Sequence, residues 1–137
     1  MASPTTPAPF DPAAESRRLS KLFDDLSEKV DAFRLSLPAD TPKEQLALLK
    51  GGAQSLEDQS HFFTAAAIGA TLESIRDDLA QIKSVTAQAA EQLGVLTVVA
   101  KAIAIAGCAV DLGHAILGGD PGAILNAAEV LAKNVAG

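Results

Sequence analysis

The chain has no tryptophan, no tyrosine and a single cysteine. Each shortage excludes something. One cysteine, Cys108, cannot build an internal disulfide framework or a multi-cysteine zinc centre within one chain. The five phenylalanines (Phe10, Phe23, Phe33, Phe62 and Phe63) all lie in the first half, so the core must be built mainly from Ala, Leu, Ile and Val. Small aliphatic residues suit close helix–helix packing and suit an aromatic-lined ligand pocket poorly. Positive charge is also scarce. Lys and Arg number 11 against 17 Asp and Glu, a net charge of −6, and only Arg17 and Arg18 are adjacent. Neutralising phosphates takes clustered cations, so this balance argues against nucleic acid as a partner. It also disfavours simple attraction to anionic headgroups, while leaving hydrophobic insertion open.

Catalytic signatures are missing as well: there is no Gly-x-Ser-x-Gly, Walker A, His-Glu-x-x-His or Gly-x-Gly-x-x-Gly. Cys108, Asp111 and His114 are spaced three apart in an apolar segment. On a helix, successive three-residue steps leave the first and last of them roughly 120° apart, so the thiol and imidazole cannot meet. His61 follows Glu57 and Asp58 by one turn, which is too few ligands for a metal and fits a surface ion pair. The expectation is a non-enzymatic protein with no catalytic residue, cofactor or metal site. The first residues carry neither a basic n-region nor an apolar h-region, so no Sec signal is read there. Cytoplasmic residence is the default expectation, with leaderless export as the alternative.

What the chain does have is helical pattern. Its 137 residues are 48% hydrophobic, enough for one domain with a real core. Residues 1–11, rich in Pro, Ser and Thr, read as a disordered tail before a single helical domain over 12–137. Asp11-Pro12 is an N-cap followed by a first-turn proline and predicts a helix over 12–37. Thr41-Pro42 repeats that start, with Glu44 at the capping-box position, for a helix over 42–93. Further helices are expected over 94–117 and 121–136, with bends conceivable at Gly51-Gly52, Gly69 or Gly94. Gly118 should supply a left-handed cap and Asp120-Pro121 a restart. No alternating β pattern is present, and the predicted class is all-α: an elongated antiparallel bundle with a long central helix and a C-terminal apolar hairpin.

The longest pattern is a proline-free stripe from Ile68 to Leu117, repeating every three or four residues like a coiled-coil seam. Its large members are Ile68, Leu72, Ile75, Leu79, Ile82, Leu93, Leu96, Ile103, Val110 and Leu117. Before Gly94 the other faces are charged. After it they carry Val95, Val98, Val99, Ile105, Leu112 and Ile116, and the last helix adds Ile124 and Leu131. That second set is a candidate membrane-facing or partner-facing surface, because a helix apolar all round needs cover. Thr97, Lys101 and Asp111 form only a thin polar strip along it, and Asp111 makes a lone transmembrane span costly. Small residues such as Ala100, Ala104, Gly107, Cys108 and Gly113 permit close helix approach in water or lipid.

A long amphipathic rod ending in an apolar helical hairpin resembles the architecture of α-helical pore-forming toxins of the cytolysin A and haemolysin BL type. The likeness spans about residues 68–137 and concerns arrangement, not motif. The chain is short for that family, and the last helix, about 20 Å long, cannot cross a bilayer alone. Two readings follow. In the first the protein is a non-enzymatic helical interaction and assembly protein whose partner is itself or another helical protein. In the second it is membrane-active and inserts the 94–136 hairpin into a lipid bilayer.

Overall fold

The computed structural model describes residues 10–137, so the tail expected over 1–11 lies outside the described residues except for Phe10 and Asp11. Six helices follow one another: α1 (Pro12–Leu35), α2 (Lys43–Phe62), α3 (Ala65–Ser74), α4 (Arg76–Val95), α5 (Val99–Gly118) and α6 (Pro121–Ala136). No strand occurs among the described residues, and the protein is all-α.

Local chemistry accounts for most of the boundaries. The Asp11 carboxylate accepts from the Ala13 and Ala14 amides, satisfying two of the free N–H groups at the start of α1. Asp120 does the same for α6 through the Gly122 amide, with Pro121 opening the helix. Between them Gly119, not Gly118, takes the left-handed turn, at φ 78°. The expected capping box at Thr41 does not form. Thr41 donates to the Pro38 carbonyl at 2.7 Å instead, Pro42 is the capping residue, and α2 begins without a side-chain cap.

The helix expected over 42–93 is three helices, and the 50-residue stripe is cut twice before it reaches α5. Gly51-Gly52 and Gly94 are not the breaks, since both lie inside helices. The first break is Phe63-Thr64. Thr64 turns extended and caps α3 by accepting from the Ala67 amide, and Phe63 inserts edge-on against Phe23 with ring centroids 4.8 Å apart. A bend at Ile75 (φ −112°, ψ 16°) separates α3 from α4 and points that isoleucine into the core. The third break is Leu96-Thr97-Val98, where the chain is extended before α5 starts. Thr97, Val98 and Val99 are consecutive β-branched residues, which are poor helix formers. The rod behind the resemblance to pore-forming toxins is therefore absent.

The breaks fold the helices into a closed ring in which α1 touches α2 and α4, α5 touches α2 and α6, and α4 and α6 close the circuit. Paired positions give the directions. Ser20 meets Ser60 and Ser27 meets Ala53, so α1 and α2 are antiparallel. Gly52 meets Ala106 and Gln59 meets Val110, so α2 and α5 run parallel. Glu15 meets Lys83 while Gly94 lies beside Lys29, so α1 and α4 are also parallel. Short α3 packs across one end, with Gly69 against Pro12 and Thr71 against Gly119. The arrangement is a helical bundle of mixed parallel and antiparallel neighbours, not the antiparallel one expected.

The extended step at 96–98 also shifts the buried stripe. In α3 and α4 the core takes Ile68, Leu72, Ile75, Leu79, Ile82 and Leu93, as the pattern places them. Beyond the break the stripe would continue through Leu96, Ile103, Val110 and Leu117, but these are only half-buried. The face of α5 that enters the core is Ala102, Ile105, Ala109, Leu112 and Ile116. Ile105, Leu112, Ile116, Ile124 and Leu131, expected on a membrane-facing or partner-facing surface, are thus fully buried inside the chain's own fold.

Candidate functional site

The apolar helix α5 is held on one side by α2 and on the other by α6. Against α2, Gly113 leaves space that the Gln59 side chain fills. A Cβ at that glycine would stand 2.0 Å from Gln59 Oε1. Gln59 Nε2 donates to the Val110 carbonyl at 3.0 Å, while its Oε1 is buried with no hydrogen-bond partner. An unpaired buried acceptor of this kind costs about 1–3 kcal/mol. Against α6, the Asn134 amide donates to Cys108 Sγ at 3.3 Å. Burial, followed by the nearby Asp111 carboxylate, pushes the Cys108 thiol above its ordinary value, the opposite of an activated nucleophile. Asp111 and His114 lie on the exposed strip of α5 with Ala100 and Gly107. Thr97 is not on the helix at all, and Lys101 is half-buried. Of the small residues, Gly113 makes a close approach, while nothing stands within 4 Å of a Cβ at Gly107.

Other polar contacts tie helices together. Ser20 and Ser27 on α1 donate to the Ser60 and Ala53 carbonyls of α2, each at 2.7 Å. Glu15 receives Arg18 at 2.5 Å and Lys83 at 2.8 Å, joining α1 to α4. Partial burial alone would raise the Glu15 carboxyl. The Lys83 ammonium and the Arg18 guanidinium outweigh it, and the group sits below its ordinary value. Among the described residues no three His, Cys, Asp or Glu side chains gather as a metal site.

What remains is surface. Of the large apolar side chains, Leu35 (69% exposed), Val95 (78%) and Val98 (56%) stand at one end of the bundle, where α1 stops and α4 passes into α5. Leu48 is exposed on the second turn of α2, near the same end, and Val99 behind Val98 is half-buried. Sequence reasoning put Val95 and Val98 on the candidate face but missed Leu35. By helical phase Leu35 lies roughly 160° from the buried stripe of α1 (Leu19, Phe23, Leu26, Val30 and Phe33), so the spacing itself turns it to solvent. A second surface is the seam between α4 and α6. There the short side chains Ala128 and Ala132 leave a trough of about 270 Å³ over Ile82 and Val85. No family model, curated protein or solved structure matches the chain.

Proposed function

We propose that the protein is a non-enzymatic helical interaction and assembly module that associates with itself through the apolar end of the bundle. The observation that supports this is that Leu35, Val95 and Val98 are all exposed at helix ends on that side of the fold. Scattered exposed leucines and valines are ordinary; several on one end of a small acidic bundle are a contact surface in waiting. Complete burial of each is worth up to roughly 1.5–3 kcal/mol, so a pair of ends can offset the entropy of a weak, concentration-dependent dimer. Light scattering on a size-exclusion column should show mass rising over about two decades of protein concentration. The double substitution Leu35→Asp and Val98→Asp should hold the chain monomeric with its helicity intact, because both side chains are exposed and α5 lacks a capping side chain at Val98. A wild-type chain that stays monomeric throughout overturns this reading.

A second reading, membrane activity of the α5–α6 hairpin, is favoured by one observation. Helix α5 has 20 residues with a mean hydropathy of 1.5, and 39% of its most apolar stretch is buried. At about 1.5 Å per residue it matches a hydrocarbon core of ~30 Å. In this reading α5 leaves α2 on meeting lipid. A cross-link tests it directly. The Cβ positions of residues 52 and 106 lie 3.5 Å apart, within disulfide range. With Gly52→Cys and Ala106→Cys in a Cys108→Ser background, dye-loaded vesicles should leak only after reduction. Equal leakage from the oxidised form, or none from either form, rules the second reading out.

A further inference from the structure

We propose that the trough between α4 and α6 is a docking site for a basic amphipathic helix supplied by another protein. The proposal rests on the reading of the chain as an interaction protein, and concerns a surface that meets its apolar end only at Val95. The trough follows the seam in two depressions. Its lower part is lined from α4 by Asp78, Ile82 and Val85, and from α6 by Leu125, Ala128 and Glu129. Farther along the same two helices a second depression is lined by Gln88, Glu91, Gln92, Val95 and Val135. The α4 positions recur every three or four residues, so one face of that helix forms a wall from Asp78 to Val95. Those seventeen residue steps span about 25 Å, room for a helix of four to five turns.

Charge selects the occupant. The charged side chains lining the two depressions are Asp78, Glu129 and Glu91, all carboxylates; the first depression has an apolar floor at Ile82 and Val85, and the second adds Gln88 and Gln92 beside Val95 and Val135. Lys133 stands beside Glu129 at 3.6 Å, but both are mostly exposed (74% and 67%), and such a pair yields readily to a partner's cation. A second copy would bring the same acidic face and a net charge of −6. A helix with apolar residues at every third or fourth position and Lys or Arg flanking them satisfies floor and rim together, the helix-in-groove mode of recognition.

Fluorescence anisotropy with three labelled peptides of about 18 residues tests this. One carries a leucine stripe flanked by Lys and Arg, one the same stripe flanked by Glu, and one the basic composition scrambled to destroy the stripe. The striped basic peptide should bind at least about ten-fold more tightly than either control, and more weakly as salt rises. Asp78→Lys with Glu129→Lys should weaken it by a similar factor, and Leu125→Asp should weaken it too. Asp24→Lys with Asp25→Lys, on α1, should not, and thermal melts should show every variant folded. Equal binding of the scrambled peptide, or equal loss from the α1 and trough substitutions, overturns the proposal in favour of unspecific charge attraction. Light scattering on the same samples separates the two ideas. A chain that self-associates but ignores the peptides sinks the docking site alone, and a monomer that binds the striped peptide sinks only the end-to-end assembly.

Discussion

At the scale of single residues, the contact of Gln59 with Gly113 is the most demanding in the fold. Adding a methyl at Gly113 forces the Gln59 amide away from Val110 and strands both of its polar atoms in the interior. The gain in helix propensity is about 1 kcal/mol, and the stranded amide costs about 1–3 kcal/mol. Gly113→Ala should therefore lower stability by roughly 1–2 kcal/mol in urea unfolding followed by circular dichroism. In a Gln59→Ala background the space is empty, and the same substitution should raise stability, a reversal of sign that a double-mutant cycle reads directly. Glu15 supplies a second residue-level expectation. Its folded pKa lies below its ordinary value, so its contribution is fully present above the unfolded value near 4.5 and is lost as pH falls through the folded value. Stability of the wild type should thus fall on acidification below about pH 4.5 more steeply than that of Glu15→Gln or Lys83→Met. Parallel slopes in the three proteins would show that the Arg18–Glu15–Lys83 contact contributes nothing.

At the scale of elements, the decisive feature is where helices stop. A continuous helix over 94–117 has no place for proline at residue 99, where it would cost about 3 kcal/mol. In the structure Val99 is the first residue of α5 and Val98 before it is extended (φ −96°, ψ 113°), a conformation that suits the residue preceding proline. Val99→Pro should change stability by less than about 1 kcal/mol, mostly through the half-buried side chain it removes. A loss of ~3 kcal/mol or more would mean that the helix runs through. The signals for these stops were present but weak: a lone threonine capping an alanine run at Thr64, and β-branched neighbours at 97–99. Asp11-Pro12 and Asp120-Pro121 were legible because cap and proline coincide there. The bend at Ile75 has no local cause in the residues around it; a buried isoleucine is what the core takes in return. The Thr41 start failed because its hydroxyl turns back to donate to the Pro38 carbonyl and Pro42, which has no capping side chain, stands directly before the helix.

At the scale of the whole molecule, the apolar face of α5 is covered by α2 and α6, and this changes how substitutions are to be read. Leu79 and Ile82 are 3% and 1% exposed, so Leu79→Asp or Ile82→Asp would bury an unpaired charge and unfold the bundle. Such variants report on folding and say nothing about association. Ile105→Asp is as poor a probe of membrane insertion, because Ile105 is fully buried. Exposed positions such as Leu35, Val98, Asp78 and Glu129 separate function from folding. The candidate surfaces were only partly legible for the same reason. Val95 and Val98 stood out as apolar residues beside a composition change, whereas the α4–α6 trough joins positions some fifty residues apart that only folding brings together.

Composition and periodicity by themselves determined the all-α class, the aliphatic core and the two proline-capped starts. These follow from local propensity and from short-range spacing, which a linear chain displays openly. Only the tertiary structure decided which face of α5 is buried, which way neighbouring helices run, and which apolar residues remain at the surface. The physical reason is that three extended residues at 96–98 reset the helical phase. The stripe that continued smoothly on paper was thereby turned partly outward, and the face beside it turned in against α2 and α6.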